Sequence, residues 1–402
     1  MKLQVVGTLA AGIASLMLAG GALASPLYTI TDLGDLSGGE DASYAAGVND
    51  TGQVVGIGSA ATGYRGFLWQ SGVGMTDLGD LPGGDDYSAA YGVNDSGQVV
   101  GYSVAATGQR AFLWQSGVGM IDLGDLPGGE DASLAFDIND SGQVVGYSSR
   151  ATGGHAFLWQ SGVGMIDLGG LPGGSDTSHA IGINDSGQVV GIGATTTGTR
   201  AFLWQSGVGM IDLGDLPGGL DYSVANGINN NGQVVGISGA ITGYRGFLWQ
   251  SGVGMIDLGD LPGGSNYSYA YGINDNGQVV GRSVGAIGNR AFLWDVGPGM
   301  LDLNDLLIDP TGWQLDVAAA INTSGQIIGY GIHNGSWRSF LLDPVSSSSV
   351  PEPATFSLLG AGLLGIGALR WRFRRLARSI YLGVELAILR WFGHSSDCYV
   401  RL

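Results

Sequence analysis

The sequence is poor in cysteine, histidine and charged side chains. One of its 402 residues is a cysteine, Cys398, so no disulfide can form within the chain and a cysteine-based metal site is excluded. Its four histidines stand in unrelated contexts, which argues against a histidine-centred catalytic or metal site. Only 12% of the residues are charged, so stability must come from the core that a 44% hydrophobic content allows.

Positive charge is scarce over most of the chain. Residues 26–345 contain 31 acidic side chains and 8 arginines, a net charge of −23, whereas residues 346–402 carry a net charge of +4. A body this acidic repels nucleic acid and anionic lipid. We therefore expect no nucleic-acid partner, and a separate role for the basic tail.

Glycine, by contrast, is abundant and accompanies an internal repeat. The 76 glycines favour short strands joined by tight turns over helices. The segment "FLWQSGVGM" occurs without change at 67–75, 112–120, 157–165, 202–210 and 247–255, and as "FLWDVGPGM" at 292–300. Its tryptophans recur every 45 residues, which is the length of a four-stranded propeller blade.

One repeat contains four strand-like segments separated by turn residues. They are "AAYGVN" (89–94), "QVVGYS" (98–103), "RAFLWQ" (110–115) and "MIDLG" (120–124). The first repeat is preceded by a lone fourth-strand segment at 28–36, and the last, at 317–342, has only three strands. A closed ring, in which the N-terminal strand completes the last blade, explains both features and removes free sheet edges. The sequence predicts an all-β, seven-bladed β-propeller over residues 25–345, with a stacked solenoid as the alternative.

Three motifs recur in fixed order along the repeat: "HAFLW" at 155–159, "IDLG" at 166–169 and "INDSGQVVG" at 183–191. In these motifs the repeat resembles the HAF-repeat family of bacterial extracellular proteins, and the resemblance covers about residues 28–343. Arginine replaces the family's histidine in every copy except the one with His155. The resemblance implies secretion and no established activity.

Residues 1–24 have the pattern of a secretory signal peptide. Lys2 precedes an apolar run from Val5 to Leu18, and small residues at Ala22 and Ala24 suit signal peptidase, with cleavage after Ala24. We therefore expect export through the inner membrane.

The chain beyond residue 345 resembles a PEP-CTERM sorting signal. A serine-rich linker at 346–355 contains the motif Pro351, Glu352, Pro353, and residues 356–375 combine a hydrophobic span with Arg370, Arg372, Arg374 and Arg375. The resemblance implies a Gram-negative bacterium that makes exopolysaccharide, and an exosortase-type processing enzyme. Arginines at its end hold such a span on the cytoplasmic side, so we expect a short helical tail that anchors the chain transiently in the inner membrane. The extension at 376–402 is atypical, and a permanent anchor is the alternative.

No singular cluster of reactive groups stands out from the repeat, so we predict no catalytic residue and no tightly bound cofactor. The interblade loops gather carboxylates on one face, where Asp41, Asp86, Asp131, Asp176 and Asp221 are candidate ligands for weakly bound calcium. The same face receives further carboxylates at Asp35, Asp80, Asp125, Asp215, Asp260 and Asp305. It also receives Tyr64, Tyr87, Tyr222, Tyr244 and Tyr267, with Arg65, Arg110, Arg200, Arg245 and Arg290 nearby.

These features favour a non-enzymatic protein of the cell envelope or extracellular matrix. Its propeller would bind acidic polysaccharide or a surface protein, with calcium bridging the two sets of anions. Two alternatives remain open: a polysaccharide-active hydrolase or lyase on the same scaffold, and an acidic face that serves only solubility.

Overall fold

The computed structural model describes residues 26–345 except residues 130 and 152, and this range forms seven four-stranded antiparallel sheets. Six of the sheets contain four consecutive strands, and the seventh takes its outer strand from the N-terminal segment. That segment, Tyr28–Asp32, pairs with Phe340–Pro344. The predicted seven-bladed β-propeller is therefore confirmed, including its closure, whereas the predicted helical tail lies outside the described residues.

The seven sheets are the blades of the propeller, numbered 1 to 7 in chain order of their inner strands, and their strands follow one pattern. The inner strands are Gly38–Val48, Ser88–Val93, Ser133–Ile138, Ser178–Ile183, Ser223–Ile228, Ser268–Ile273 and Trp313–Ile321. The second strands are Val54–Ala60, Val99–Ala105, Val144–Arg150, Val189–Ala194, Val234–Ala240, Val279–Gly285 and Ile327–His333. The third strands are Gly63–Gln70, Gly108–Gln115, Gly153–Gln160, Thr199–Gln205, Gly243–Gln250, Gly288–Asp295 and Ser336–Pro344. The outer strands are Gly74–Asp77, Gly119–Asp122, Gly164–Asp167, Gly209–Asp212, Gly254–Asp257, Gly299–Asp302 and Tyr28–Asp32, and a 3-10 turn spans Leu303–Leu306.

The hydrophobic core lies between the blades. Phe112 of the third strand in blade 2 is fully buried and packs against Val55 and Leu68 of blade 1. Each of the seven hydrophobic clusters likewise joins residues from two adjacent blades. A large apolar side chain buried in this way contributes about 1.5–3 kcal/mol. Each blade therefore depends on both of its neighbours for stability.

A buried asparagine after each inner strand ties its blade to the next. The Asn94 side-chain amide donates to the carbonyl of Asn139 at 3.1 Å and to Gln98 Oε1 at 2.8 Å. Its Oδ1 accepts the backbone N–H of Gln98 at 3.0 Å, which closes an Asx-type turn. The same interblade bond recurs along Asn49, Asn94, Asn139, Asn184, Asn229, Asn274 and Asn322, and Asn322 donates to the carbonyl of Asn49 at 3.0 Å.

A buried serine at the start of the inner strand makes a second interblade bond. Ser88 Oγ accepts the N–H of Gly66 in blade 1 at 3.0 Å and donates to the carbonyl of Gly79 at 2.6 Å. At the closure of the ring, Ser43 Oγ accepts the N–H of Ser339 in blade 7 at 3.1 Å. Six of the seven blade boundaries are therefore hydrogen-bonded at both ends of the inner strand; the exception is the boundary between blades 6 and 7, because the inner strand of blade 7 has no serine.

We expect that a chain beginning at Gly39 unfolds more easily than one beginning at Pro26. The shorter chain lacks Tyr28 and Leu33, which are 1% and 4% exposed. Burial of two such side chains contributes about 3–6 kcal/mol, and the ladder to Phe340–Pro344 is lost as well. Urea denaturation of the two chains measures the difference. Equal unfolding midpoints would show that the N-terminal strand does not close the ring.

Candidate functional site

The propeller has two chemically distinct faces. The loop face carries the loops between blades and the turns between second and third strands; Thr199 at the start of a third strand pairs there with Tyr222 of an interblade loop. The turn face carries the turns between first and second strands and between third and outer strands, and Gln70 and Gln98 line a common cleft on it.

The carboxylates of the loop face are paired with arginines. Arg65, near the start of a third strand, places Nη1 2.7 Å from Asp80 Oδ1 and Nη2 3.0 Å from Asp86 Oδ1. Arg110 repeats this arrangement with its two carboxylates at 3.0 and 2.6 Å. The partners of Arg110 are Asp125 and Asp131. The remaining pairings are Arg200 with Asp215 and Asp221, Arg245 with Asp260 and Asn266, and Arg338 with Asp35 and Asp41. Each of these five arginines thus fixes the loop that leaves its own blade, whereas Arg290 pairs with Asp302 of its outer strand at 3.8 Å and Asp305 has no ion pair among the described residues.

His155 takes the place of the arginine in blade 3. Its Nε2 lies 3.7 Å from Asp176 Oδ2, and its Nδ1 lies 3.1 Å from Asp167 Oδ1. His179 lies elsewhere, with its ring 4.3 Å from that of Tyr147. All five candidate calcium ligands therefore lie beside an arginine or a histidine. Among the described residues, no three histidine, cysteine or acidic side chains are grouped so as to hold a metal ion, and calcium binding stays a prediction.

Aromatic side chains form clusters on the loop face. The ring centres of Tyr222 and Tyr244 lie 5.4 Å apart, and those of Tyr244 and Tyr267 6.2 Å apart. Tyr244 and Tyr267 are each 36% exposed, so the cluster presents ring surface to solvent. The structure thus brings together three of the five tyrosines that the sequence places on this face.

Two more aromatic clusters were not anticipated from the sequence. In one, the Tyr44 ring lies 5.3 Å from Tyr330 and 6.3 Å from Trp337, which is 38% exposed. The other consists of Tyr87, Tyr91, Tyr102 and Phe136, with ring-centre distances of 5.6–6.1 Å. The sequence alone gives no sign of these clusters, because their members come from different strands and different blades.

The central channel opens among these aromatic side chains. A cavity of about 500 Å³ is lined by inner strands of the ring, including Tyr91, Tyr271 and Tyr330. A β-bulge in the inner strand, seen in blade 2 between Ala90 and Gly92, turns Tyr91 toward this cavity. Because Tyr91 and Tyr330 also belong to the aromatic clusters, the cavity and the loop face form one continuous surface.

The opposite end of the channel is polar. A smaller cavity of about 180 Å³ is lined there by the turn residues that follow each inner strand. The backbone N–H of Asp50 donates to Asp95 Oδ1 at 2.9 Å, and that of Asp95 donates to Asp140 Oδ1 at 2.9 Å. Burial and the charges of Asp140, Asp50 and Asp185 raise the pKa of Asp95, although its bond with Asp50 opposes the shift. These carboxylates therefore join neighbouring blades.

Asp137 is an exception to the repeat within the channel. Glycine occupies the equivalent position in five blades, and alanine in the seventh. The Asp137 carboxylate accepts the N–H of Ile138 through Oδ1 and that of Ile183 through Oδ2, both at 2.9 Å. Burial, with a smaller contribution from the charge of Asp185, raises the pKa of Asp137 to about 7 although both N–H bonds oppose the shift.

Arg282 is a second exception. Seven of the eight arginines in the described part of the chain form an ion pair with a carboxylate, and Arg282 is the one that does not. Its Cζ lies 4.5 Å from the centre of the Tyr269 ring, and its buried Nε has no hydrogen-bond partner among the described residues. Burial raises the pKa of Tyr271 and Tyr330, which line the channel cavity, and the charge of Arg282 opposes both shifts.

A sorting signal is identified by comparison with known families. A family model described as the PEP-CTERM protein-sorting motif matches residues 349–375, a range that includes Pro351–Pro353 and ends at Arg375. The chain carries a PEP-CTERM sorting motif. Such a motif marks an exported protein that an exosortase-type enzyme processes and that is anchored transiently at the membrane. The match does not reach the propeller, so the HAF-repeat resemblance stays a prediction.

Comparisons of the whole chain give no functional conclusion. No curated protein matches it. A gluconolactonase from Xanthomonas campestris is 11% identical with a TM-score of 0.39, covering 81% of this chain and 93% of its own. An oligogalacturonate lyase in complex with manganese is 11% identical with a TM-score of 0.47, covering 74% of this chain and 86% of its own.

Both predicted membrane-targeting segments lie outside the described residues. They are the signal peptide at 1–24 and the hydrophobic span within 356–375. Residues 26–345, as far as they are described, contain no helix with the length and apolar character needed to cross a bilayer.

We expect the exported protein to lack the sequence from about Val350 onward, because the sorting motif begins at residue 349 and directs processing. Intact-mass measurement of protein from the envelope or the medium checks this. A mass that includes Cys398 would instead indicate a permanent anchor.

The raised pKa of Asp137 predicts a pH-dependent stability. The folded protein holds this proton up to about pH 7, whereas an unfolded aspartate releases it near pH 4, so the stability contributed by this group falls between these two values. Asp137→Gly removes this loss and restores the residue of the other repeats. The variant should gain a few kcal/mol relative to the native chain between pH 4 and pH 8. Urea denaturation at both pH values measures this gain, and a constant difference would contradict it.

Proposed function

We propose that this protein is a non-enzymatic component of the cell envelope or extracellular matrix that binds polysaccharide through its loop face. The observation that carries the proposal is the set of partly exposed aromatic clusters on the loop face. The PEP-CTERM motif supports it, because the motif takes the protein to a compartment where such polymers occur.

The chemistry of the loop face suits carbohydrate. Tyrosine and tryptophan offer a flat apolar ring that packs against the C–H face of a sugar, and a polar group that bonds to its hydroxyls. Tyr244 and Tyr267 supply such rings at one side of the face, and Tyr44 and Trp337 supply them at another. A polymer that contacts several clusters at once gains affinity from multivalency.

Charge decides which polymers fit. The ion pairs neutralise part of the loop face, but the net charge of −23 over residues 26–345 disfavours a strongly acidic polymer. Neutral polysaccharides are therefore the better ligands in the absence of a bridging cation. The proposal also includes an acidic polymer that calcium bridges to the loop-face carboxylates. A chelator distinguishes the two ligands, because it removes binding of the acidic polymer and leaves binding of a neutral one.

The proposal predicts that the exported protein binds the extracellular polysaccharide of its own cells. The double variant Tyr244→Ala, Tyr267→Ala should weaken binding about tenfold, since each aromatic contact contributes about 1 kcal/mol or more. Val253→Ala on the turn face is the matched control and should bind normally. Affinity electrophoresis in gels containing the polymer, with and without EDTA, gives the affinities.

Three results bear on this proposal. Loss of binding in EDTA would assign the interaction to calcium. Unchanged binding by the tyrosine variant would remove the loop face from the proposal. New reducing ends or unsaturated sugars in the incubated polymer would show a hydrolase or a lyase instead.

A further inference from the structure

The turn face carries repeated clefts between adjacent blades. One cleft, of about 600 Å³, lies between blades 1 and 2, and another, of about 740 Å³, lies between blades 4 and 5. The first is lined by Gln53, Leu68, Gln70, Gln98, Trp114 and Gln115. The second is lined by the same residue types three repeats further on: Gln188, Leu203, Gln205, Gln233, Trp249 and Gln250. Both volumes are in the range of small-ligand sites.

These clefts have no charged lining. Neither set of lining residues, all of them described, includes an acidic side chain, an arginine, a lysine or a histidine. The rest of the propeller is strongly acidic, with a net charge of −23 over residues 26–345, so the uncharged lining sets these clefts apart from it. Their polar groups are amides and hydroxyls, which suit a neutral ligand rich in hydroxyl groups better than an ion.

The glutamine at the start of each second strand is held in a fixed orientation. Gln53 Oε1 accepts the side-chain amide of Asn49 at 2.7 Å, and Gln188 Oε1 accepts that of Asn184 at 2.8 Å. The amide oxygen is thereby occupied, and the NH₂ group is left as the free donor. Neither Gln53 Nε2 nor Gln188 Nε2 has a protein acceptor among the described residues.

Blade 7 shows where this NH₂ group points. Gln326 has the same bond from Asn322, at 2.7 Å, and its Nε2 donates to Asp343 Oδ1 at 2.6 Å. Asp343 occupies the position of Gln70, and Leu342 that of the tryptophan. Asp343 therefore satisfies this donor within blade 7, whereas Gln70 and Gln205 occupy the equivalent position in the two clefts and accept no such bond among the described residues.

On the turn face, the turn between third and outer strands varies less from repeat to repeat than the interblade loops of the loop face do. The segment Gln-Ser-Gly-Val-Gly-Met is identical in five copies, although the valines at its tips are 65–70% exposed. Positive φ angles of 76° and 88° at Gly72 and Gly74 explain the glycines, whereas no hydrogen bond of the described residues requires the glutamine side chain. The interblade loops of the opposite face, such as "GGDDYS" and "GGSDTS", differ from copy to copy. A glutamine that lines the clefts and is identical in five copies is what repeated contacts with identical ligand units require.

We infer that the interblade clefts of the turn face are a repeated set of binding sites for neutral sugar units of a polysaccharide. The tryptophan packs against the apolar face of the sugar ring, and the glutamine amides bond to its hydroxyls. The six lining residue types recur between blades 2 and 3 and between blades 3 and 4, so four neighbouring clefts share the same chemistry. Such an array binds a polymer of one repeating sugar by multivalency. This inference goes beyond the proposed function, since the sites lie on the opposite face.

The test removes the amides that make no structural bond. The side chains of Gln70, Gln115, Gln160, Gln205 and Gln250 form no hydrogen bond within the described residues. A variant with all five changed to alanine therefore leaves intact the asparagine ring, the closed series of interblade hydrogen bonds that runs from Asn49 to Asn322. The matched control changes the five neighbouring valines to alanine: Val73, Val118, Val163, Val208 and Val253, which are 65–70% exposed and do not line the two clefts.

Affinity electrophoresis of the exported protein in gels containing dextran, yeast mannan or galactomannan measures binding to neutral polymers. At least one polymer should retard the native protein and the valine variant, and the glutamine-to-alanine variant should bind it at least about tenfold more weakly. If that variant unfolds at a lower temperature than the native protein, a second variant with asparagine at the same five positions replaces it. This second variant should also bind the polymer more weakly than the native protein and the valine variant do.

Two results would overturn the inference: no retardation by any of these polymers, or equal retardation of the native and glutamine variants. The loop-face variant Tyr244→Ala, Tyr267→Ala should keep its binding to the neutral polymer through the clefts. Failure of the loop-face proposal is thus distinguishable from failure of this one.

Discussion

Contact between neighbouring blades is the interaction on which the rest of this structure depends. A single blade buries little by itself, because its phenylalanine packs against the second and third strands of the blade before it. The asparagine ring and the buried serines add hydrogen bonds across the same boundaries. Every such bond needs a next blade, so only a closed ring satisfies all of them. Closure is in this sense a requirement of each repeat, and the bond from Asn322 to Asn49 completes it.

This dependence explains how far the sequence could predict the fold. The tryptophan period and the incomplete first and last repeats are enough to give the number of blades and the swapped N-terminal strand, because both follow from counting. The partners of Asn94 or Ser88 could not be found in this way. In the sequence each is a turn or strand residue that could bond within its own blade, and only the packing of two blades shows that it bonds across the boundary.

The same distinction applies to the candidate sites. The sequence gives the face on which Asp86 and Tyr244 lie, since blade connectivity fixes it. It does not give the state of those groups: the structure pairs Asp86 with Arg65, and it gathers Tyr244 with Tyr222 and Tyr267. Asp137 and Arg282 can be recognised in the sequence as departures from the repeat. Their burial, their neighbours and the raised pKa of Asp137 depend on the channel, which forms only when the ring closes.

The two faces differ in how far their repeats have diverged from one another. On the loop face the repeats have diverged, and the side chains that depart from the pattern, such as Arg282 beside Tyr269, meet near one channel mouth. A site of this kind exists once per molecule and suits one segment of a ligand. On the turn face the turn between third and outer strands is identical in five repeats, and clefts with the same six lining residue types lie between blades 1 and 2 and between blades 4 and 5. A site of that kind exists several times and suits a ligand that itself repeats. Under the two proposals, the propeller would hold a polymer at several equivalent points on one side and distinguish a particular structure on the other, and a closed ring of near-identical blades provides both surfaces without any change in fold.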